Sequence, residues 1–217
     1  YVKPLTGLFS KKQLQHKLYR AEYAEGNWNN IQEVPLAPKY ASVMHPALSR
    51  DGKRLFFASN MPGSYGDFDI YVAEISRDGS LGVAQNLGEK VNTPKNDLYP
   101  QVLDNEMLFF ASEGHKGYGG LDLFAVQVAA KKVGLAVNVG SPFNSRKDDF
   151  ALNLMQEKGR ALVMSNRATA DKIVQQVVFS YGNTENSRLA DNGDYRFLEL
   201  RPLETPSGYT NTVFEEH

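Results

Sequence analysis

His45-Pro46-Ala47-Leu48-Ser49-Arg50-Asp51-Gly52-Lys53-Arg54-Leu55-Phe56-Phe57-Ala58-Ser59-Asn60 contains the pentapeptide that decides the fold. Its Leu55-Phe56-Phe57-Ala58-Ser59 returns unchanged as Leu108-Phe109-Phe110-Ala111-Ser112, 53 residues later. Three further landmarks keep the same order and nearly the same offset. His45-Pro46 matches Tyr99-Pro100, Asp69-Ile70-Tyr71 matches Asp122-Leu123-Phe124, and Asn86-Leu87-Gly88 matches Asn138-Val139-Gly140. A weaker third copy places Asp148-Asp149-Phe150 on Asn96-Asp97-Leu98 and Ala161 to Asn166 on Leu55 to Asn60. A half copy precedes the first, from Leu18-Tyr19-Arg20-Ala21-Glu22-Tyr23 through Gly26-Asn27-Trp28 to Val34-Pro35-Leu36. A fixed period of this size signals a repeat architecture.

Each copy reads as four short strands. In the clearest copy they are residues 43–48, 54–59, 69–75 and about 83–87, separated by Asp51-Gly52, a longer loop from Asn60 to Gly66, and Asp78-Gly79. Gly and Asp at these points are turn formers. Asp104-Asn105 and Lys158-Gly159 stand where Asp51-Gly52 stands. No segment sustains a period near 3.6 with caps, so no substantial helix is expected, and residues 14–23 read as strand through the repeat register. Side chains alternate across a strand, so Leu55, Phe57 and Ser59 point one way and Phe56 and Ala58 the other. A sheet that is apolar on both faces must pack a sheet on each side. Radial stacking of four-stranded units of about 52 residues, a β-propeller, satisfies that need. A β-sandwich or an extended stack of sheets is the competing architecture. The fold class expected is all-β, with propeller blades over 1–182 and a tail, 183–217, that is either a closing strand or the start of a second module. Setting the tail aside leaves about three and a half repeats in 217 residues, which predicts an incomplete ring.

Composition narrows the function. With 24 Lys+Arg against 25 Asp+Glu and no basic block, a nucleic-acid partner has no electrostatic footprint. Cys is absent, which removes disulfides, thiol nucleophiles and thiolate metal sites. No apolar run approaches the length of a membrane span.

The stretch from His45 to Asn60 resembles the P-x-x-S-x-D-G-K-x-x-x-F-x-S segment of TolB-type, WD-repeat-like propellers. Gly63 to Tyr71 and Gly117-Tyr118-Gly119-Gly120-Leu121-Asp122-Leu123-Phe124 resemble the G-G-x-D-I-Y segment that accompanies it in OmpA-family envelope proteins of the Bacteroidetes. Asp191-Asn192-Gly193-Asp194-Tyr195-Arg196-Phe197 resembles the G-x-Y-x-F hairpin of carboxypeptidase-regulatory-like β-sandwich modules. That domain order is similar to PorE-like components of the type IX secretion system. The resemblance implies a periplasmic, outer-membrane-associated scaffold that binds other cell-envelope or secretion-system proteins, and reaches peptidoglycan through domains outside this sequence.

Candidate chemistry is sparse. His16, His45, His115 and His217 form no spaced metal motif, with His45 expected to pack near the axis and His115 to be solvated. Asp67-Phe68-Asp69 invites a calcium loop but lacks the twelfth-position Glu, so Asp69 and Asp122 read as caps for loop N–H groups, with cation binding as the competing reading. Gly117-Tyr118-Gly119-Gly120 precedes a strand, not a helix, and so makes a poor phosphate loop. Ser49, Ser59, Ser112 and Ser165 sit at repeat positions without a G-x-S-x-G elbow, and Asp148-Asp149 recurs as Asn96-Asp97, a change that paired acid–base chemistry would not accept. No cofactor and no enzyme activity are expected. What remains is one rim, where the loops after the second and fourth strands emerge. It would carry Met61, Tyr65, Lys95, His115, Lys116, Tyr118, Arg146 and Lys147, a mix of aromatics and cations enriched at protein interfaces. A glycan-binding pocket at the axis, or an accessory propeller of a hydrolase, are the alternatives.

Overall fold

The computed structural model describes residues 14–103, 106–130, 132–155, 160–167 and 173–180. Among these, all regular structure is β, and no helix is long and apolar enough to cross a membrane. The described residues begin with a hairpin, β1 (Tyr19–Ala24) and β2 (Asn27–Glu33), whose residues are exposed throughout. A four-stranded antiparallel meander follows: β3 (Val43–Leu48), β4 (Arg54–Ser59), β5 (Asp69–Glu74) and β6 (Gln85–Asn86). The same meander is repeated by β7 (Asp97–Val102), β8 (Met107–Ser112) and β9 (Asp122–Ala129), with a fourth strand split into β10 (Lys132–Val133) and β11 (Val137–Asn138). A third sheet holds β12 (Asp149–Met155), β13 (Arg160–Ser165) and β14 (Gln175–Ser180).

The first three strands of the clearest repeat lie where the alternation put them. The fourth is shorter than expected. Only Gln85 and Asn86 pair with β5, and Leu81 bridges Ile75 before the chain leaves the sheet, so Val83 is exposed. The Asp51-Gly52 turn is wider than a two-residue hairpin. Ser49 N–H donates to Arg54 O and Gly52 N–H to Ser49 O, while Asp51 Oδ1 accepts from Ser49 Oγ and Lys53 N. Asp104-Asn105, Lys158-Gly159 and Asp191 to Phe197 lie outside the described residues.

The three sheets stack face to face. Phe56, Ala58 and Ile70 meet Leu108, Phe110, Phe124 and Val126 between the first and second. Met107, Phe109, Ala111, Leu123 and Ala125 meet Leu152, Ala161 and Val163 between the second and third. On the far face of the first sheet, Leu55, Phe57, Tyr71 and Ala73 are covered by Val34, Leu36 and Ala41 from the segment after the opening hairpin. The alternation of LFFAS is thus realised twice, each pentapeptide feeding two cores. Arg54 ties two sheets together, donating to Val128 O at 2.7 Å.

The first strand of each sheet carries the same irregularity. The register shifts between Met44 and Ala47, between Leu98 and Gln101, and between Phe150 and Asn153. At these bulges His45, Tyr99 and Ala151 adopt left-handed backbone with φ of 54°, 53° and 49°. The bulges bring rings from successive sheets into a ladder. His45 stacks on Tyr99 at 3.8 Å between centroids, and Tyr99 meets Phe150 at 5.0 Å. Tyr99 N–H donates to His45 Nδ1 at 3.3 Å. Burial, reinforced by the neighbouring His16, lowers the His45 pKa to about 4, so the ring is neutral and able to accept that bond. Its packing role is as expected from the repeat.

Candidate functional site

The loops between strands two and three, and between strand four and the next sheet, are built around buried carboxylates. Asp69 begins β5 and Asp122 begins β9, and both are buried. Asp69 accepts Tyr65 N–H at 2.7 Å, Gly66 N–H at 3.1 Å and Asn86 Nδ2 at 2.6 Å. Asp122 Oδ2 accepts Tyr118 N–H at 2.8 Å and Gly119 N–H at 2.9 Å. Both are therefore caps, as the spacing suggested. The Gly117-Tyr118-Gly119-Gly120 loop does cradle an anion, but it is the protein's own. A Cβ at Gly117 would collide with the Asp122 carboxylate, and one at Gly120 with that of Asp148.

A second pair of buried carboxylates opens the first strands. Asp97 Oδ2 accepts Thr93 N–H at 2.6 Å and Thr93 Oγ1 at 2.9 Å, and Asp149 Oδ2 accepts Ser145 N–H at 2.6 Å and Ser145 Oγ at 2.7 Å. Here the repeats diverge. Asp149 Oδ1 receives Arg167 Nη2 at 2.5 Å, and the same guanidinium donates to Pro142 O and Phe143 O. Asp97 Oδ1 is buried with no hydrogen-bond partner, and so is Asp122 Oδ1. Burial lifts the Asp97 pKa to about 6, against the Ser112 side chain, the Thr93 bonds and the nearby His115, which pull it down. Asp122 is also raised, by burial and by the charges of Asp149 and Asp148.

Two asparagines complete the frame. Asn92 accepts Ile70 N–H at 2.7 Å and donates to Ile70 O at 3.0 Å, and Asn144 does the same for Leu123 at 2.7 and 2.9 Å. Each also donates to the side chain of the landmark asparagine, Asn86 or Asn138, which accepts the N–H of Gly88 or Gly140. Those glycines have φ of +79° and +77°, which explains why Gly closes the landmark triplet. The asparagine clamps escaped the sequence reading. Their signal is the shared pattern Asn-Thr/Ser-x-Lys-Asn/Asp-Asp, 92–97 and 144–149. Arg167 had no such signal, because it has no counterpart in the other copies.

The expected rim is assembled in part. Tyr65, Lys95, Lys116, Tyr118, Arg146 and Lys147 are exposed. The loops that carry them touch, since a Cβ at Gly66 would strike the backbone of Thr93 and Lys95, and one at Gly119 that of Lys147. Two residues depart from expectation. Met61 is buried in the core beneath the first sheet, its N–H bonded to Ser59 Oγ at 3.2 Å. His115 is half-buried rather than solvated, because its loop turns the ring inward. It packs 4.9 Å from Phe124 and 6.0 Å from Phe110, with Nε2 2.7 Å from Val91 O.

The repeat serines are occupied by the scaffold. Ser59 Oγ donates to Ser42 O, Ser112 Oγ accepts Gly114 and His115 N–H, and Ser165 Oγ accepts Arg167 N–H and Nε. Among the described residues, no three His, Asp or Glu side chains are grouped to hold a metal ion.

By sequence the chain matches no protein-family model and no curated protein. By structure it is similar to TolB from Acinetobacter baumannii, at 12% identity and a TM-score of 0.47 over 75% of this chain and 34% of that one. TolB of Agrobacterium tumefaciens aligns at 14% identity and 0.46, covering 76% and 56%. A puromycin-hydrolyzing peptidase of Mycobacterium tuberculosis aligns at 19% identity and 0.48, covering 82% and 24%. The chain spans only a third, a little over half and a quarter of these proteins.

Proposed function

We propose that this chain is a run of propeller blades serving as a non-catalytic protein-interaction platform, with the loop rim around Tyr65 and Tyr118 as its docking face. The observation that carries this is the treatment of the two tyrosines. In successive repeats their backbones are pinned to a buried aspartate while their side chains are left exposed by 49% and 58%. Rigid exposed aromatics beside cations lose little entropy on binding and suit a protein partner. The buried serines and carboxylates serve the loops, which supports a binding rather than a catalytic role. Resemblance of the two repeat motifs supports placement in the periplasm, associated with the outer membrane and with a complex such as the type IX secretion system.

A glycan-binding axis would draw on the ladder of His45, Tyr99 and Phe150. Two of those rings, however, lie on each other and offer one another the faces a sugar would need. The rim is therefore preferred. The test is photo-crosslinking in the envelope of the source organism, with a benzophenone amino acid at position 65 or 118, or at the exposed outer-strand positions 83 and 135. Adducts are expected from 65 and 118 alone. Adducts from 83 and 135 with none from the rim would overturn the assignment.

A further inference from the structure

The hairpin of β1 and β2 is half of a repeat. Leu18 O accepts Val34 N–H at 2.8 Å, just as Ile70 O accepts Leu87 N–H at 3.1 Å and Leu123 O accepts Val139 N–H at 3.0 Å. Two residues earlier the seam bond recurs as well. Val43 N–H donates to His16 O, Asp97 N–H to Phe68 O and Asp149 N–H to Leu121 O, at 2.9, 2.8 and 2.7 Å. β1 and β2 therefore stand beside the first sheet as third and fourth strands, the places that β5 and β6 hold beside the second. Their inner neighbours differ. β5 pairs with β4 and β9 with β8, whereas the far edge of β1 meets no strand among the described residues. Tyr71 is buried by the ring of Phe57 on the adjacent strand and by the connector that precedes its sheet. Tyr19 holds the place of Tyr71 and Phe124, yet it is 58% exposed against 3% for each of them. With Tyr23, Trp28 and Ile31 it leaves the hairpin with uncovered apolar surface. The third sheet is short in the complementary way, since β14 is its third strand and has no fourth beside it among the described residues.

We infer that the segment after Ser180 covers this surface, giving β14 a fourth strand and β1 the inner strands that its sheet lacks. The length fits. From the end of one third strand to the end of the next second strand the chain uses residues 75–112 and 130–165, and residues 181–217 equal both stretches to within one residue. The landmarks fit too. Asp191-Asn192-Gly193 follows Asn138-Val139-Gly140 at the same 53-residue offset that separates the two LFFAS copies. Arg201-Pro202 continues the series His45-Pro46, Tyr99-Pro100 and Ala151-Leu152. Tyr209-Thr210-Asn211-Thr212-Val213-Phe214 then stands as far beyond Pro202 as Met107–Ser112 stands beyond Pro100, and its Tyr, Thr, Val and Phe favour strands. In that register Thr212 takes the place of Phe110, which lies opposite Phe124, so its partner is Tyr19. A separate module in the tail would leave β1 bare.

The sequence has no cysteine, so an introduced pair reports one contact. The full chain carrying Tyr19→Cys with Thr212→Cys is treated with a short bismaleimide. Tyr19→Cys with Leu135→Cys, the latter between β10 and β11, is the distant control. The first pair should crosslink within one chain, read as a shifted monomer band and mapped by peptide mass spectrometry, and the control should not. Hydrogen exchange on the unsubstituted chain gives a second reading that needs no variant. The Leu18–Val34 bond turns the neighbouring Tyr19 amide away from β2, so its exchange reports the far edge alone. Its protection should lie within about tenfold of that at Tyr71. Exchange of the Tyr19 amide at the rate of an unstructured peptide, no crosslink in the first pair, or an equal yield in the control would overturn the inference. Crosslinks that form only between chains, with Tyr19 protection lost on dilution, would overturn it in favour of a second copy.

Discussion

Asp97→Asn separates the cost of a buried charge from the value of the bonds it makes. In the folded chain Asp97 is fully buried, one oxygen holds Thr93, and the other makes no hydrogen bond of good geometry, with the Ser112 side chain nearby. Its pKa rises from 3.8 to about 6, so the native state binds a proton more tightly than the unfolded chain does. The sign follows from linkage. The stabilisation is complete below pH 3.8 and is lost as pH rises through about 6. That rise corresponds to about 3 kcal/mol. In the asparagine variant this dependence disappears, and the carbonyl oxygen can still accept from Thr93. The amide nitrogen in place of Oδ1 can donate to the neighbouring Ser112 hydroxyl, which offsets about 1–3 kcal/mol. At pH 8 the variant should therefore equal or exceed wild type by up to about 2 kcal/mol, and at pH 4 it should be the less stable of the two. Urea unfolding of both proteins across pH 4 to 8 gives the difference directly, and subtraction cancels the raised Asp122, which both share. A wild type minus variant difference that is flat with pH would refute the reasoning.

The repeat-equivalent Asp149→Asn should behave oppositely, losing about 1–3 kcal/mol at neutral pH by urea midpoint, because Arg167 loses its ionic partner. Asn92→Ala should cost about 1–3 kcal/mol, since it leaves the buried Ile70 N–H without its acceptor while Ile70 O keeps the Leu87 N–H, and hydrogen exchange at Ile70 should rise with it. Gly66→Ala should destabilise by more than Gly63→Ala. The first collides with backbone at Lys95, whereas the second meets open space and bears only the roughly 1 kcal/mol of a positive φ; thermal midpoints rank them. Phe57→Ala should lose about 3–5 kcal/mol by the same measurement, as the ring is fully buried beneath the first sheet.

The fold was legible because it is written twice. LFFAS must serve two cores, and only a strand places Leu55 and Phe57 on one side and Phe56 and Ala58 on the other. The caps Asp69 and Asp122 were legible for a related reason, standing at the same point before equivalent strands. What escaped depends on distance in sequence. Asn92 reaches back 22 residues to Ile70, and Arg167 reaches back 18 to Asp149, so neither partner lies within a local pattern. Met61 and His115 were misplaced because loop membership does not set exposure. Met61 follows Ser59, whose hydroxyl accepts its N–H and turns the side chain under the sheet. His115 sits in a glycine-rich loop, yet Ser112 takes its N–H and Val91 its ring nitrogen.

The same bonds bear on function. A loop of glycines and small residues would ordinarily be mobile, and ordering it on binding would oppose association. Here each tyrosine loop has two backbone N–H groups committed to one aspartate, and its neighbouring loop commits one N–H and one hydroxyl to another. Those carboxylates are buried, so their bonds operate where water competes least. The elevated pKa of Asp97 is the cost of that arrangement, and it falls on the loop that carries Lys95. The structure thus spends stability at the seams to hold an exposed tyrosine and an exposed lysine in fixed positions, once per repeat.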